Sequence, residues 1–284
     1  MDHSRYRIVS IPKRSGGVRI LEIPDALLMQ EQRRILGWLY ARKVAPSPYA
    51  HGFVRGRSIV TNARLHVGKR VVIRIDIKDF FPSVTAVMVR EALITNGISA
   101  VDATAITEIC TLDGRLPQGG PASPFLSNLV AMRLDYRLAG LARHWRDGKC
   151  STSYSRYADD LAFSSDDRHL NHLVPAATRI IRDCGFAVHE NKTRVYRRSA
   201  RQILAGVVVN AKPNVPRTVR RNLRAELHQA REALVRGDVP TTDLRRLRGL
   251  AAHIRAVNAV AGVSLLRDVD EVERLQLARS AVQK

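Results

Sequence analysis

The sequence predicts an α+β fold, with β-hairpins and helices through residue 213 and a helical bundle over residues 214–284. Short runs of β-forming residues, separated by turns rich in Gly and Pro, characterise the first part of the chain. Two of these runs end at acidic residues, Asp76 and the pair Asp159 and Asp160. In the second part, apolar residues instead recur at the spacing of amphipathic helices.

The first 70 residues are predicted to form a hairpin and two helices. Residues 5–24 alternate in character around a Ser-Gly-Gly sequence, which indicates a β-hairpin with a glycine turn. Apolar residues at helical spacing indicate one helix over 25–43 and another over 59–66. The stretch between these helices is rich in Pro and Gly and is predicted to be a loop.

The middle of the chain is predicted to place its acidic residues at the ends of β-strands. Residues 71–77 form an apolar run that contains Asp76, and a short helix follows Pro82. Two β-like runs flank Asp159 and Asp160, which predicts a hairpin with these acids at its turn. The other elements expected here are a loop over 116–124, helices over 125–141 and 170–184, a strand from 187, and a hairpin formed by 193–196 and 203–209.

The segment after Pro213 is predicted to be a bundle of three helices with a basic face. From residue 218, one set of apolar residues lies within about 80° of the helix circumference. Arg220, Arg221 and Arg224 lie on the adjoining roughly 100°. Residues 244–257 repeat the apolar pattern, and a third helix is expected from residue 264. The apolar residues of the first helix are Val219, Leu223, Leu227, Ala230 and Leu234.

The charge of the chain indicates a polyanionic partner. Lys and Arg total 47 against 26 Asp and Glu, which gives a net charge of +21. Such an excess is self-repulsive unless a polyanion neutralises it, and nucleic acid is the usual one. A coding bias with solvated charged faces would explain the preference for Arg over Lys, but it would not explain the shortage of acidic residues.

Other features of the sequence argue against several classes of protein. No run approaches the roughly 20 apolar residues that a membrane span requires. The first residues contain no apolar signal core, so we expect a cytoplasmic protein without a membrane partner. The three cysteines are widely spaced, and neither a CxxC nor an HExxH sequence occurs. A disulfide framework or a structural zinc site is therefore not expected.

The acidic residues suggest metal-dependent chemistry. Asp76, Asp159 and Asp160 would repel one another if brought together, unless a hard cation neutralised them. Two magnesium ions about 4 Å apart can activate an attacking hydroxyl and stabilise a departing pyrophosphate, as polynucleotide synthesis requires. An Asp-Asp pair by itself is weak support, since Asp166 and Asp167 form another pair that is predicted to be a solvated loop.

The order of several motifs identifies the family that the chain resembles. Five segments resemble the successive palm motifs of reverse transcriptases, from the first aspartate to the primer-grip hairpin. The resemblance implies a right-hand polymerase with fingers and palm over 1–213, built on an antiparallel sheet, and a helical thumb over 214–284. It also implies RNA-directed DNA polymerase activity. The five segments are IDIKDFFPSV, LPQGGPASPFLSN, YADD, GFAVHENKTRV and ILAGVVVN.

The resemblance assigns a role to each residue of the acidic set. Asp76 and Asp159 would bind both magnesium ions, and Asp160 would complete the triad. The backbone carbonyl of Ile77 would be a further ligand. An intact triad argues against a catalytically silent RNA-binding protein of the same fold, which is one alternative interpretation of the sequence.

The resemblance also implies contacts to the incoming deoxynucleoside triphosphate. Phe81 lies at the position of the steric gate, where a ring would clash with a 2′-hydroxyl. A core position is the alternative for this residue, and it would suit Phe80 equally. The other implied contacts come from the first hairpin, the glycine loop and the segment after YADD, at Lys13, Arg19, Gln118 and Lys192. Without the resemblance, the three cations would be surface charges and the amide part of an ordinary turn.

Further motifs resemble the retron reverse transcriptases. The segment HGFVRGRSIVTNARLH contains an NAxxH sequence like the signature of that group. Retron enzymes copy part of a structured non-coding RNA into a branched RNA–DNA, and many act in anti-phage defence beside an effector protein. The resemblance therefore implies a cognate RNA, its DNA product and an effector as partners. The nucleic-acid contacts that we predict are Asn62, His66, Arg220, Arg221 and Arg224.

Two departures from the retron pattern concern RNA recognition and the start of the chain. Leu204, Ala205 and Gly206 stand where retron enzymes commonly carry Val-Thr-Gly, a triplet associated with the cognate RNA. The chain also begins close to the first hairpin, and either a short start or a misassigned one would account for this. A group II intron-like reverse transcriptase is the other alternative, although such enzymes normally add a further domain after the thumb.

Overall fold

The computed structural model describes residues 3–12, 16–238 and 243–282. Its strands are β1 Tyr6–Pro12, β2 Val18–Pro24, β3 Val71–Asp76, β4 Thr152–Tyr157, β5 Asp160–Ser165, β6 Arg194–Arg197, β7 Ile203–Leu204 and β8 Val207–Val208. Its α-helices are α1 Ala26–Ala41, α2 Ile59–Arg64, α3 Phe80–Ser83, α4 Ala86–Thr95, α5 Ala100–Cys110, α6 Ser123–Val130, α7 Met132–Arg143, α8 Val174–Asp183, α9 Arg217–Arg236, α10 Leu244–Val257 and α11 Ala259–Val282. This mixture of helices and antiparallel strands confirms the predicted α+β class.

A four-stranded antiparallel sheet with the order β4-β5-β3-β6 separates two hydrophobic cores. Because side chains alternate along a strand, Ile73 and Ile75 of β3 enter one core while Val72 enters the other. Helices α4 to α8 contribute to the first core. The second core combines α2, the β7–β8 hairpin and the helices α9 to α11. The burial of β3 on both faces explains its nearly continuous apolar sequence.

The hairpin β1–β2 forms a separate two-stranded sheet that lies beside the Gly/Pro loop of residues 116–124. The backbone N–H of Glu22 in β2 donates to the carbonyl of Gln118 at 2.9 Å. Asp25 caps the following helix α1, since its carboxylate accepts a hydrogen bond from the N–H of Leu28 at 2.7 Å. The predicted first hairpin and first helix are thus confirmed.

The predicted elements differ from the structure in three places. Strand β6 pairs with β3 and not with β7, so the hairpin predicted from 193–196 and 203–209 is wrong. The short helix predicted after Pro82 and Ser83 is α4, whereas α3, which contains these two residues, and α5 were not predicted. The helix predicted over 125–141 consists of α6 and α7, which meet at Ala131.

The bundle α9–α11 has the apolar face that the sequence predicts. Leu223, Leu227, Ala230 and Leu234 of α9 are buried, as their helical spacing indicates. The third helix begins at Ala259 rather than at residue 264. It crosses α10 closely at Gly262, where an added Cβ would lie 2.1 Å from the Cα of Arg255. No helix within the described ranges has a long enough apolar stretch to span a membrane.

Candidate active site

The two acidic segments meet at one end of the four-stranded sheet. In the pairing of β3 with β5, Asp76 lies directly opposite Asp160. The backbone N–H of Ile77 donates to the carbonyl of Asp159 at 2.9 Å. Ala158 and Asp159 form the two-residue turn between β4 and β5. Strand pairing therefore brings the three predicted acidic residues to neighbouring positions.

Two basic side chains partly neutralise this acidic group. Asp76 is buried, and its Oδ2 accepts a hydrogen bond from Lys192 Nζ at 3.1 Å. Arg74 precedes Asp76 by two residues on β3, so the two side chains lie on the same face of the strand. The Arg74 guanidinium lies 2.6 Å from Asp160 Oδ1 and 3.6 Å from Asp76 Oδ1.

The two basic side chains do not fully neutralise the three acidic residues, and two of the carboxyl groups have raised pKa values. Burial raises the pKa of Asp160 to about 6, although Arg74 opposes the shift, and the charges of Asp159 and Asp76 raise this pKa further. Burial also raises the pKa of Asp159, and the charge of Asp76 adds to the effect. Loss of solvation and mutual repulsion both disfavour the ionised form. A bound cation would relieve both.

The donor atoms fit a hard divalent cation, but they do not form a complete cluster. Asp76, Ile77 and Asp159 line the same cleft, while Asp160 does not and instead pairs with Arg74. Within the described part of the chain, no three acidic, His or Cys side chains are grouped so that they could hold a metal ion. Carboxylate oxygens are the ligands that Mg²⁺ prefers. Because these side chains are not grouped around one point, the assignment of the metal ligands stays a prediction.

The cleft beside Asp76 and Asp159 has a volume of about 690 Å³ and brings distant residues together. It is lined by side chains from the first hairpin, from α3, from the glycine loop and from the segment after β5. The predicted nucleotide contacts among its lining residues are Arg19, Phe81, Gln118 and Lys192. The remaining predicted contact, Lys13, lies outside the described residues.

The structure distinguishes the two adjacent phenylalanines. Phe80 is 4% exposed and belongs to the first hydrophobic core. Phe81 is only partly buried and lines the cleft, with its ring centroid 5.9 Å from that of Phe53. Both phenylalanines line the cleft, so their burial and not their position distinguishes them. A steric gate needs a ring that is open to the cleft, so the proposed gate remains assigned to Phe81 and the core role belongs to Phe80.

The loop that carries Gln118 is fixed to the first hairpin by an ion pair and by close backbone contact. Arg115 donates to both carboxylate oxygens of Glu22 at 2.9 and 3.1 Å, and Glu22 also accepts from the N–H of Gln118 at 3.3 Å. A Cβ at Gly119 would lie 2.7 Å from the carbonyl oxygen of Glu22, and the φ of Gly119 is +148°. Glycine is therefore required where the loop meets the hairpin.

Three of the seven non-glycine residues with a positive φ in the described part of the chain lie at the cleft. Phe53, Asp79 and Ala158 have φ values of 60°, 47° and 57°, in the left-handed region that residues with a Cβ rarely adopt. All three line the cleft. Such conformations persist only where the surroundings enforce them, and they cluster at functional sites.

Asn62 and His66 do not lie where a nucleic-acid contact requires them. Both are buried, at 2% and 0% exposure. His66 Nε2 and Nδ1 each lie 2.7 Å from a serine hydroxyl, that of Ser155 on β4 and that of Ser164 on β5. Ser155 also donates to the Asn62 side-chain oxygen at 2.7 Å. The prediction of RNA contact by these side chains is thus wrong for this conformation, since they link α2 to the hairpin that carries Asp159.

The predicted thumb contacts differ in their exposure. Arg221 and Arg224 are exposed on α9, while Arg220 is only partly exposed. The two exposed arginines could reach a phosphate backbone without any rearrangement of the bundle, and the role of all three stays a prediction. The second acidic pair is not wholly solvated as predicted, because Asp167 is buried, accepts a hydrogen bond from Trp145 Nε1 and forms an ion pair with Arg146.

Sequence reasoning missed several residues that organise the site. Arg74 could have been found from its spacing of two from Asp76 on a strand. Glu22 and Arg115 are 93 residues apart, and no local pattern links them. Phe53 could not be placed at the cleft because its loop has no regular periodicity.

A comparison with protein families gives the class of the chain. The model of the family described as reverse transcriptase (RNA-dependent DNA polymerase) matches residues 11–213. Curated relatives named retron reverse transcriptases match most of the chain. That of retron Ec86 from Escherichia coli is 30% identical over 277 residues, which cover 95% of this chain and 82% of the relative. The chain therefore belongs to the reverse transcriptase family, and within it to the retron reverse transcriptases.

Two relatives from Myxococcus xanthus are more similar in sequence but considerably longer. The retron Mx65 reverse transcriptase is 42% identical over 281 residues, which cover 92% of this chain and 64% of the relative. The retron Mx162 reverse transcriptase is 34% identical over 308 residues, which cover 95% of this chain and 61% of the relative. The chain thus spans less than two thirds of the length of these two proteins.

Solved structures support the fold. Apo telomerase from Candida tropicalis matches with a TM-score of 0.53 at 12% identity, over 94% of this chain and 58% of that chain. A form of the same protein truncated from the C-terminal domain matches with a TM-score of 0.50 at 13% identity, over 74% of this chain and 55% of that chain. At such low identity these matches show the right-hand fold alone.

Proposed function

We propose that the protein is an RNA-directed DNA polymerase that copies a structured non-coding RNA into single-stranded DNA joined to that RNA. The observation that carries the proposal is the cleft in which Asp76 of β3 and Asp159 of the β4–β5 turn lie beside Arg19, Phe81 and Gln118. Acidic metal ligands, a cation for phosphate, an aromatic ring and an amide are the groups that templated nucleotide addition requires. The similarity to retron reverse transcriptases supports the choice of template.

The cofactor proposed is a pair of Mg²⁺ ions, with Asp76, Asp159, Asp160 and the carbonyl of Ile77 as ligands. Once bound, the ions would activate the 3′-hydroxyl of the primer as a nucleophile and stabilise the charge of the departing pyrophosphate. Arg74 binds Oδ1 of Asp160, so Asp160 would join this ligand set through its other oxygen or by releasing Arg74. The two carboxyl groups with raised pKa values would ionise fully beside such charge.

The other residues of the cleft would bind and select the deoxynucleotide. Arg19 and Lys13 would pair with the triphosphate, since guanidinium and ammonium groups form charge-assisted hydrogen bonds to phosphate oxygens. Gln118 can contact a base or a sugar through its amide. Phe81 would exclude a 2′-hydroxyl. Lys192, which lies 3.1 Å from Asp76 Oδ2 and lines the cleft, would give a proton to the departing pyrophosphate.

The proposed partners are the cognate RNA, its DNA product and deoxynucleoside triphosphates. The net charge of +21 and the exposed arginines of α9 support binding to a nucleic-acid duplex. Residues 1–213 would form the fingers and palm, and 214–284 the thumb that holds the duplex. A role in cytoplasmic anti-phage defence beside an effector protein is the expectation that the retron resemblance adds.

The polymerase activity can be tested by removing the acidic pair. Asp159→Asn combined with Asp160→Asn should abolish extension of a DNA primer on an RNA template in Mg²⁺, because the substituted amides cannot neutralise a cation. Asp166→Asn is the matched control, since Asp166 is an exposed aspartate of the second acidic pair. Synthesis by the double variant at the wild-type rate would refute the site.

Retron identity needs a separate measurement on the native product. Protein purified with its bound nucleic acid would be treated with RNase, and the remaining DNA would be sequenced. A short single-stranded DNA that carries an RNA-derived branch at its 5′ end is expected. Its absence from an enzyme that extends primers would instead favour a group II intron-like reverse transcriptase.

A further inference from the structure

A fully buried arginine lies directly behind the turn that carries Asp159. Arg156, on β4, is 0% exposed and forms an ion pair with Asp135 of α7, which is also 0% exposed. Its Nε and Nη2 each donate to a carboxylate oxygen of Asp135 at 2.8 Å. The remaining nitrogen, Nη1, points elsewhere and donates to the Asn128 side-chain oxygen at 2.8 Å and to the carbonyl of Ala158 at 3.2 Å.

These contacts form a closed ring around Ala158. Asn128, bound on one side by Arg156, donates from its Nδ2 to the carbonyl of Gly52 at 2.9 Å. Gly52 in turn packs against the turn so closely that a Cβ there would lie 2.5 Å from the N of Ala158. The turn is thus held at its carbonyl by Arg156 and at its nitrogen by the loop that Asn128 fixes.

This ring of contacts surrounds the strained backbone that determines the position of Asp159. Ala158 has a φ of 57°, which is strained for alanine, so the surroundings must enforce it. The next residue, Asp159, lines the cleft, and its backbone carbonyl accepts a hydrogen bond from the N–H of Ile77. The Arg156 guanidinium also lies 5.7 Å from the ring centroid of Phe80, which precedes the predicted gate.

We propose that Arg156 is a positioning residue for catalysis, which holds the strained turn at Ala158 so that the Asp159 carboxylate faces the cleft. The inference rests on the proposed polymerase activity and adds a residue that does not itself reach the substrate. A simple role in burying the Asp135 charge would use two nitrogens of the guanidinium. The third nitrogen, directed to Ala158 and Asn128, is the part that such a role leaves unexplained.

The planar guanidinium is suited to this task, and other side chains are not. It presents donors in a rigid fork, so one face can satisfy a carboxylate while another nitrogen binds the turn. A lysine has one nitrogen and cannot bind both Asp135 oxygens and the Ala158 carbonyl in this geometry. Asp135 has further donors in Tyr154, at 2.8 Å, and Ser47.

The decisive variant combines Arg156→Met with Asp135→Asn. It removes both charges, so that no unpaired charge is left buried, and the amide oxygen introduced at position 135 can still accept from Tyr154. If Arg156 positions the turn, kcat on a primed RNA template should fall about 100-fold, as expected for misplaced reacting groups. The KM for the deoxynucleotide should change little, whereas the melting temperature should fall, because the Asn128 oxygen and the Ala158 carbonyl lose their donor. Amide hydrogen exchange of the peptide containing residues 157–160 should become faster.

Two further variants keep the test informative. Arg137→Gln with Asp183→Asn removes a more exposed ion pair, between α7 and α8, and should leave kcat at the wild-type value. Asn128→Ala opens the ring without touching the ion pair and should lower kcat about tenfold. If the variant with Arg156→Met and Asp135→Asn does not fold, Asn128→Ala tests the positioning role instead.

The outcomes separate the two proposals. A wild-type protein that makes no DNA would overturn the proposed function, whatever Arg156 does. An active wild type, together with a folded Arg156→Met/Asp135→Asn variant of unchanged kcat and unchanged exchange, would overturn the positioning role and leave only charge burial. Unchanged kcat in Asn128→Ala would overturn it where the double variant is unfolded.

Discussion

Arg74 Nε lies 2.6 Å from Asp160 Oδ1, and the same guanidinium reaches Asp76 Oδ1 at 3.6 Å. One cation thus bridges two acids from paired strands. The arrangement explains how the sheet tolerates neighbouring carboxylates in the absence of metal, because the arginine supplies countercharge within the fold. It also makes Arg74 a competitor for Asp160 once a metal ion binds.

Replacing Arg74 by Met should therefore destabilise the protein in EDTA and make its stability more dependent on Mg²⁺. The free energy of unfolding should fall by about 1–3 kcal/mol, because a partly buried carboxylate loses its charged partner. Urea unfolding with and without Mg²⁺ measures both effects. Lys69→Met is the control, since Lys69 pairs with the exposed Asp166, and it should cost about 0.5 kcal/mol with no added Mg²⁺ dependence. Equal losses in the two variants would contradict the prediction.

The buried His66 should make stability depend on pH in a defined direction. Burial lowers its pKa to about 3, whereas in the unfolded chain the pKa is near 6.5. Between these values the unfolded state binds more protons, so stability is lost as the pH falls below 6.5. From about pH 8 to about pH 5 the expected loss from this group is about 2 kcal/mol.

Urea unfolding at several pH values tests this expectation with a His66→Gln variant. The variant should lack the loss due to His66, whatever its own stability, and its curve should be flatter over that range. The exposed His253 provides the control, since His253→Gln should retain the wild-type slope. Parallel curves for wild type and His66→Gln would show that this histidine does not stay neutral in the folded protein.

The strand and its acids were predictable from sequence, whereas their partners were not. Apolar β-forming residues before Asp76 sufficed to predict β3, and the motif order sufficed to predict that Asp159 would join it. The pairing of β6 with β3 was missed, since a short strand such as Arg194–Arg197 carries no signal for which neighbour it will choose. Helix α5 was missed although its N-cap residue, Ser99, is a helix-start signal.

The NAxxH segment shows the limit of motif reasoning more sharply. A short polar signature was interpreted as a contact to RNA, but Asn62 and His66 are polar because they must satisfy buried hydroxyls on β4 and β5. Only the tertiary structure distinguishes these two reasons for a polar residue. The same holds for Arg156, whose partner Asp135 is 21 residues away on a helix.

Phe81→Ala should increase the use of ribonucleotides by roughly 10- to 100-fold relative to deoxynucleotides, because the ring that meets the 2′-hydroxyl is removed. The ratio of kcat/KM for paired ribo- and deoxynucleotides measures this directly. Phe80→Leu is the matched control, since Phe80 lies in the core and should affect stability but not sugar choice. Unchanged selectivity in Phe81→Ala would remove the gate assignment.

The exposed arginines of α9 should contribute to duplex binding through phosphates. Arg221→Gln and Arg224→Gln should each reduce the slope of log K against log salt concentration by about 1. Binding of an RNA–DNA duplex measured at several salt concentrations gives this slope. Arg248→Gln is the control, because Arg248 already pairs with Asp270 and Glu273 in the same bundle. Identical slopes in all three variants would contradict a phosphate contact on α9.

The β7–β8 hairpin offers a site where a substitution should stabilise the protein. Its two-residue turn consists of Ala205 and Gly206, with φ values of 45° and 82°, which correspond to a type I′ turn. Alanine is unfavourable in the left-handed region, whereas Asn is tolerated there and Asn-Gly is the preferred pair for this turn.

Ala205→Asn should therefore raise the free energy of unfolding by about 0.5–1 kcal/mol, which urea unfolding can measure. Ala211→Asn is the matched control, since Ala211 is an exposed alanine outside the left-handed region and should change stability by less than about 0.5 kcal/mol. If both variants shift the unfolding midpoint equally, the gain comes from the added amide and not from relief of backbone strain. A gain confined to Ala205→Asn would show that this turn carries strain, because Ala211 receives the same side chain without a change of backbone preference.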